Sequence, residues 1–492
     1  MSTVVVGVVG TGTMGSGIAQ TAAVAGHPVL LYDSAPGAAG RAADQIRERV
    51  KALAEKGRLA VRPDDLLLTA VDTPAALAPA GLVVEAVAED LGVKRRLFAE
   101  LEEHVTAGCV LATNTSSLSP AAIAAGTRHP ERVIGLHFFN PAPLMRLVEV
   151  VPGPETAEPV IAMAGELVTA WGKTAVRSAA TPGFIVNRVA RPFYAEAWRL
   201  YEERAARPET IDAVLTGAGG FRMGPFALMD LIGHDVNEAV TRSVWTAFGY
   251  DSRFAPSPAQ RALVEEGRLG RKSGRGVYAY PPEGAPTSDG AGRSAAPPEV
   301  VAHRAGDLRT LLGRSGVAVL EGDGADGVEL PCGALLVRCT GTTATELAAR
   351  HGSPVIVVDR ALDDDTATAI AVAASDGCPR LALDEATGLL QAAGLDVHVL
   401  DDVPGLAVAR TVAMLVNLAA DALHQEIASG ADIDTAMRLG TNYPLGPLAW
   451  GDRWGAATVH AILVALQDAY GDPRYRPSPL LRRRALTGEA LT

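Results

Sequence analysis

A histidine and a glutamate stand twelve residues apart in two apolar runs, His137 in GLHFFNPAP and Glu149 in LVEVV. If the runs are neighbouring strands, the carboxylate meets the imidazole, holds it in one tautomer and strengthens it as a base. Such a base suits removal of the proton from an alcohol whose carbon gives up a hydride. A lone histidine in an apolar strand is more often a satisfied core residue. Here Asn140, Pro141 and Pro143 follow it, a turn of functional type.

A hydride needs an acceptor, and residues 4–33 (VVVGVVGTGTMGSGIAQTAAVAGHPVLLYD) supply the place for one. An apolar run enters the glycine turn G-x-G-x-x-G at Gly10, Gly12 and Gly15; a helical stretch and a second apolar run follow, and the latter ends on Asp33. In this context Gly10 permits the tight turn, Gly12 lets backbone approach a pyrophosphate, and Gly15 lets helix and strand pack closely. The helix N-terminus then faces the phosphates. Asp33 accepts the adenosine ribose hydroxyls and repels a 2′-phosphate. Ser34 and Ala35 follow, with no arginine, so the expected cofactor is NAD rather than NADP.

These residues need elements to hold them. The chain has 492 residues, too many for one core, with 48% hydrophobic and 20% charged residues, as in an ordinary globular protein. A net charge of −12 argues against nucleic acid as a partner. The four cysteines, Cys109, Cys332, Cys339 and Cys378, have no metal spacing and read as thiols in a reducing compartment. Strand residues from Val4 leave no room for a signal peptide, and no apolar run approaches the ~20 residues of a membrane span. The expected location is the cytoplasm. TVAMLVNLA (411–419) reads as a buried bundle helix.

Residues 1–180 alternate apolar runs with helical patterns: LVVEAVAE (82–89), CVLATNTS (109–116), RVIGLHFFN (132–140), LVEVV (147–151) and TAVRS (174–178) read as strands ending in polar groups. That is the pattern of an α/β Rossmann domain. Residues 181–280 read as an all-helical domain, and 281–299, rich in proline and glycine, as a linker. Residues 300–402 alternate again (VAVLEGD, ALLVRCTG, PVIVVDRA, RLALDEA, DVHVLDD) without a glycine turn, which predicts a reduced Rossmann-like domain that binds no dinucleotide. Residues 403–492 repeat the helical domain. IDAVLTGAGGFRMGPFALMD (211–230) matches IDTAMRLGTNYPLGPLAWGD (433–452), DSRFAPSPAQRALVEEG (251–267) matches DPRYRPSPLLRRRALTG (472–488), and PGFIVNR (182–188) is echoed by PGLAVAR (404–410). Asn187 in the first copy is Ala409 in the second. The first copy continues into GRKSGRGVYAY (270–280), for which the second has no equivalent. Copy one is thus expected to work and copy two to pack.

NTSSL (114–118), HFFNP (137–141), LVEV (147–150), TPGFIVNR (181–188), GPF (224–226) and GRKSGRGVY (270–278) resemble the L-3-hydroxyacyl-CoA dehydrogenase family, and the whole chain resembles its long bacterial form. The resemblance implies NAD-dependent, reversible oxidation of an L-3-hydroxyacyl-CoA, such as 3-hydroxybutyryl-CoA or the 3-hydroxyadipyl-CoA of phenylacetate breakdown. It implies His137 as base and Glu149 as its partner, with Ser116 and Asn187 on the reacting oxygen and thioester. Ser116 and Asn140 would lie beside the nicotinamide, and Glu89, Lys94 and Lys272 at positions that contact NAD. Taken alone, Glu89 and Lys94 would be solvated helix-face charges, Asn187 a capping or core amide, and Ser116 the cap of the next helix. In the basic segment RERVKALAEKGR (47–58), Lys56 matches a CoA-contacting lysine, while Arg49 stands where the family often has serine. The helical domain in this family is usually a dimerisation surface, so two copies in one chain imply an internal pseudo-dimer, compatible with further homo-oligomers. The competing readings are a dehydrogenase of a free hydroxy acid or sugar acid and a non-catalytic NAD-binding structural protein. Lys56 and the duplicated half disfavour the first; Ser116, His137, Glu149 and Asn187 together disfavour the second.

Overall fold

The computed structural model describes residues 3–281 and 290–492. The chain begins with an eight-stranded sheet: β1 Val6–Val9, β2 Val29–Tyr32, β3 Leu68–Val71, β4 Leu82–Glu85, β5 Val110–Thr113, β6 Val133–Phe138, β7 Leu147–Pro152 and β8 Thr174–Arg177. Their order is β3-β2-β1-β4-β5-β6-β7-β8. Strands β1 to β6 are parallel, β7 is antiparallel to β6, and β8 is parallel to β7. The crossovers are helices α1 Thr13–Val24, α2 Ala38–Glu55, α3 Leu91–His104, α4 Pro120–Ala124 and α5 Glu158–Ala170. Burial explains the pattern. In β1, β4, β5 and β6 every residue is buried, as covered parallel strands require, whereas α2 buries Ala39, Ala42, Ala43, Ile46 and Val50, one helical stripe.

The helical region opens with α6 Val186–Val189 and α7 Arg191–Glu202, then α8 Pro208–Gly217, α9 Pro225–Ile232, α10 His234–Ala247 and α11 Pro258–Glu265. Pro192 starts a new helix at α7; the second copy has Met414 at the corresponding position and runs unbroken. A second sheet follows, with β9 Glu299–His303, β10 Ala318–Gly322, β11 Gly327–Glu329, β12 Leu335–Arg338, β13 Val355–Val358, β14 Ala369–Ala374 and β15 Asp396–Val399 in the order β10-β9-β11-β12-β13-β14-β15. Its helices are α12 Arg309–Ser315, α13 Ala344–His351 and α14 Arg380–Ala392. The second helical copy comprises α15 Val408–His424, α16 Gly430–Gly440, α17 Pro447–Trp454, α18 Ala456–Tyr470 and α19 Pro479–Thr487. Every residue of α15 from Val408 to Ala422 is buried.

Three readings of the second half change. RLALDEA lies in α14, not a strand: Ala382, Ala386, Leu389 and Leu390 are buried at helical spacing, behind Pro379 at the N-cap. β9, β11 and β14 were not expected; AIAVAA ends on no acid and β11 is only three residues long. The linker expected at 281–299 falls partly at 282–289, outside the described residues, and β9 already begins at Glu299. Between them, Ala291 N–H donates to Val397 O at 2.6 Å and Ser294 N–H to Gln391 Oε1 at 3.0 Å, so this stretch docks on β15 and α14.

The chain forms two compact units: residues 1–188 with 425–441, and 189–424 with 442–492. In the first, α16 lies on β7 and β8, and Ala179 N–H donates to Ile427 O at 2.7 Å. A Cβ on Gly440 would stand 2.8 Å from Leu147 Cδ2, so this helix end sits hard against β7. In the second, α8 lies on β14, Asp401 N–H donates to Ala205 O at 2.9 Å, and α7 packs on α15. Residues 222 apart correspond (179 with 401, 205 with 427), so the two sheets receive the same helix, each from the other helical copy. The second copy also ends differently from expectation. Asp452 accepts from Leu491 N–H (2.6 Å) and Thr492 N–H (3.0 Å), as Asp230 accepts from Val277 and Tyr278 N–H (2.9 Å each). A short equivalent of the GVY segment therefore exists. Among the described residues no helix is long and apolar enough to cross a membrane.

Candidate active site

The site lies in the first unit, where β-strand ends meet the glycine turn. Each glycine has its own geometric reason. Gly10 has φ +89°, and a Cβ there would stand 2.7 Å from Ala86 O. A Cβ on Gly15 would fall 1.8 Å from Gly10 O, so α1 packs on the turn as only glycine allows. Around Gly12 nothing lies within 4 Å, and Gly12 caps α1 with no side-chain acceptor. The first-turn N–H groups of α1 thus face an open cradle of the kind a pyrophosphate fills. Asp33 accepts Thr11 N–H at 2.7 Å, Thr11 Oγ1 at 2.8 Å and Ala35 N–H at 2.9 Å. Burial pushes its pKa up, but the donors of Ala35 and Thr11, with Arg41, outweigh this and hold it below the usual range. The lowered pKa keeps an ionised carboxylate at the end of β2, next to the glycine turn. Arg41 is the feature the local sequence argument missed: it sits eight residues past Asp33, on α2, close enough to act on it.

His137 and Glu149 are directly paired across β6 and β7. His137 Nδ1 lies 2.6 Å from Glu149 Oε2, with His137 6% and Glu149 0% exposed. An ionised carboxylate only accepts, so Nδ1 carries the proton and Nε2 keeps its lone pair. The other carboxylate oxygen accepts Ile185 N–H and Val186 N–H, each at 3.0 Å. Glu149 thereby joins the base to the start of α6, where Asn187 follows. Phe139 and Phe184 flank the imidazole at ring-centre distances of 4.5 and 5.6 Å.

Ser116 and Asn187 are half-buried and Asn140 is exposed, and no side-chain hydrogen bond engages any of them among the described residues. Ser116 does not cap the next helix; Ser119 does, accepting from Ala122 N–H. Glu89 gathers the loop around Ser116, accepting from Thr115 Oγ1 (2.6 Å), Ser116 N–H (3.0 Å) and Ser117 N–H (3.1 Å). Burial raises its pKa, but these donors and Lys94 more than offset that, and the net shift is downward. Lys94 is 1% exposed, so it is no solvated helix charge. Its ammonium lies 2.6 Å from Glu85 and 3.3 Å from Glu89. Glu85, which the sequence reading passed over, also accepts Thr113 Oγ1 at 2.7 Å, and Asn114 Oδ1 accepts Phe138 N–H at 2.9 Å. Lys173 was likewise missed. It donates to the carbonyls of Ala142, Pro143 and Met145, fixing the turn after Asn140. A lone lysine in WGKT carries no signal of such a role.

On α2, Arg49 donates to Gln45 O at 3.2 Å and is exposed; Lys56, at the helix end, is exposed too. Arg47 is tied to Leu68 O at 2.7 Å. Lys272 belongs to the second unit, where it pairs with Asp235 at 2.7 Å.

The second sheet carries other residues at the dyad position. Glu149 pairs with Val176 across β7 and β8; Ala371 pairs with His398 across β14 and β15. Asp359, whose N–H donates to Ala371 O, stands where His137 stands in the first sheet. Asp359 and Ala371 thus replace histidine and glutamate. The Asp359 carboxylate accepts Ala407, Val408 and Ala409 N–H at 2.9, 2.7 and 3.0 Å, so it holds the start of α15 as Glu149 holds the start of α6. The helix anchor remains and the base is gone.

A dinucleotide cradle beside a buried histidine–carboxylate pair defines an NAD-dependent alcohol dehydrogenase site. Comparison with known proteins makes this specific. The NAD-binding domain of 3-hydroxyacyl-CoA dehydrogenase matches residues 5–181, its C-terminal domain matches 183–280 and again 405–491, and the reduced Rossmann-fold domain of 3-hydroxybutyryl-CoA dehydrogenase matches 336–404. The chain belongs to the 3-hydroxyacyl-CoA dehydrogenase family of NAD-dependent oxidoreductases. It is 46% identical to the 3-hydroxyadipyl-CoA dehydrogenase of Escherichia coli over 98% of this chain and 97% of that one. It is 38% identical to the mitochondrial hydroxyacyl-coenzyme A dehydrogenase of Sus scrofa over 56% of this chain and 90% of that one. Among solved structures, the 3-hydroxybutyryl-CoA dehydrogenase of Escherichia coli K12 superposes with a TM-score of 0.91 at 46% identity, covering 99% of both chains.

Proposed function

We propose that the protein oxidises a short-chain L-3-hydroxyacyl-CoA, 3-hydroxybutyryl-CoA or 3-hydroxyadipyl-CoA, to the 3-oxoacyl-CoA. The observation that carries this is the 2.6 Å His137–Glu149 pair with its free Nε2. Nε2 takes the proton of the 3-hydroxyl as the C3–H bond breaks. NAD, held by the glycine turn and Asp33, supplies the hydride acceptor. Glu149 stabilises the imidazolium and keeps its orientation. Ser116 and Asn187 offer uncommitted donors to the reacting oxygen and the thioester carbonyl, and Asn140 stands with them. Glu89 and Lys94 position the Ser116 loop against the cofactor. Lys272 is assigned to cofactor contact and Lys56 to the CoA phosphates; the exposure of Lys56 suits that role. Arg49 is the weaker CoA contact, since it already bonds its own helix.

The names of the E. coli relatives support both substrates, and a phenylacetate-type pathway would fit the adipyl one. Four free thiols, among them buried Cys109 and Cys339, suit a reducing compartment such as the cytoplasm. The packing of α7 on α15 supports an internal pseudo-dimer. The test is NADH formation from 3-hydroxybutyryl-CoA, a medium-chain 3-hydroxyacyl-CoA and 3-hydroxyadipyl-CoA, with free 3-hydroxybutyrate as comparison. Turnover of a short acyl-CoA and none of the free acid is expected. Preference for the free acid would overturn the proposal.

A further inference from the structure

The second unit contains a cavity of about 220 Å³ lined by α7, α10, the loop leading into α11, and Arg474. Three arginines line it: Arg191, Arg199 and Arg474. Arg191 is 5% exposed. Its Nη1 donates to Thr241 Oγ1 at 3.1 Å and its guanidinium lies 4.9 Å over the Tyr194 ring, but its Nε has no acceptor. Among the described residues no carboxylate pairs with Arg191. A buried guanidinium with only a hydroxyl and a ring for company is costly, because desolvation has no opposite charge to offset it. Arg474, 8% exposed, is also underused: its Nε has no acceptor and lies 3.7 Å from Asp472, whose carboxylate Arg199 holds at 2.8 Å.

The charge count limits the ligand. Arg199 and Arg474 share Asp472, the buried Glu196 acts on Arg199 as well, and Glu202 stands on the lining, so Arg191 alone of the three has no carboxylate partner and leaves one positive charge to balance. A monoanion balances that charge; a phosphate dianion would meet two carboxylates. Trp198, Pro256 and Pro258 give the wall an apolar stretch that suits a hydrocarbon stem, beside polar Thr241, Ser257 and Gln260. We propose that this cavity binds the carboxylate of a small aliphatic acid, with Arg191 as its principal ligand. Planar guanidinium and planar carboxylate match, and the anion would give Arg191 Nε the acceptor it lacks. The same group has two sources: a free acid, or the far end of a dicarboxylic acyl chain carried on CoA.

Titration calorimetry on the full-length protein tests this with hexanoate, its neutral analogue hexanamide, and inorganic phosphate. Hexanoate is expected to bind once per chain, at least tenfold tighter than hexanamide or phosphate. Arg191→Met should weaken hexanoate at least tenfold and leave the ligand-free melting temperature unchanged or higher, since it removes an unpaired buried charge. Equal affinity for hexanoate and hexanamide, tighter binding of phosphate, or no binding at all would overturn the site. The wild-type comparison alone decides this if the variant does not fold. A second arm finds the source. If Arg191→Met weakens adipyl-CoA but not hexanoyl-CoA, the carboxylate is the acyl chain's own; if only hexanoate suffers, the ligand is a free acid. This arm alone rests on the acyl-CoA reading. The hexanoate arm stands or falls without it.

Discussion

Replacing Glu149 by glutamine separates its two tasks. In the native site Oε1 accepts two backbone N–H groups and Oε2 accepts His137 Nδ1–H. Glutamine offers one oxygen. If that oxygen stays on Ile185 and Val186, the amide N–H₂ faces Nδ1 and donates to it. The imidazole then shifts its proton to Nε2, and the base points a donor at the substrate hydroxyl. The electrostatic loss adds to this. Charges about 4 Å apart at an effective dielectric near 20 interact by about 4 kcal/mol, or roughly 10³ in rate. Glu149→Gln should therefore lower kcat by about 10³, measured as NADH formation at saturating substrate. NAD affinity, followed by fluorescence titration, should stay within about twofold, because the cradle at Gly12 is untouched. Thermal stability should fall slightly, since two backbone donors exchange a charged acceptor for a neutral one. A kcat within tenfold of wild type, with the variant folded, would refute the role given to Glu149.

Other outcomes follow from the same geometry. Asp33→Ser should narrow the preference for NAD over NADP by ~1–3 kcal/mol without an added arginine, because Arg41 is already present; an unchanged ratio of kcat/KM values would show that Asp33 does not read the ribose. Asp212 is pushed up to about 7 by burial, with Asp230 adding to the rise against the donors of Phe226, Ala227 and Tyr278. Its folded pKa exceeds its unfolded one, so the folded state binds the extra proton between about pH 4 and 7. Stability then falls across that window, by at most about 1.4 kcal/mol per pH unit. Melting curves of wild type and Asp212→Asn should diverge there; parallel curves would remove Asp212 as the cause. A fragment of residues 1–290 lacks α16, which covers β7 and β8, while keeping its counterpart α8. It should self-associate in light scattering, and a monomeric, fully active fragment would show that the second copy is dispensable.

Much of this was legible in the sequence because it rests on local spacing. The glycine turn, Asp33 and the end-of-strand His137 each declare themselves within thirty residues, and the repeat exposes the second helical domain. What stayed hidden depends on non-local packing. Lys94 reads as a surface charge until β4 brings Glu85 beneath it, and Lys173 has no signal apart from the three carbonyls that fold over it. RLALDEA is a short apolar run that ends on acids, as the neighbouring strands do, and only its longer helical stripe reveals α14. The exchange of α8 and α16 between the sheets is invisible to any linear reading, since both copies carry the same motif.

The central claim is that His137 removes the hydroxyl proton of a 3-hydroxyacyl-CoA. Its most direct measurement is single-turnover NADH formation from L-3-hydroxybutyryl-CoA by wild type and His137→Gln, with NAD binding measured on both. The account predicts unchanged NAD binding and a chemical step slowed by at least ~10² in the variant. A variant that reduces NAD at the wild-type rate would contradict it.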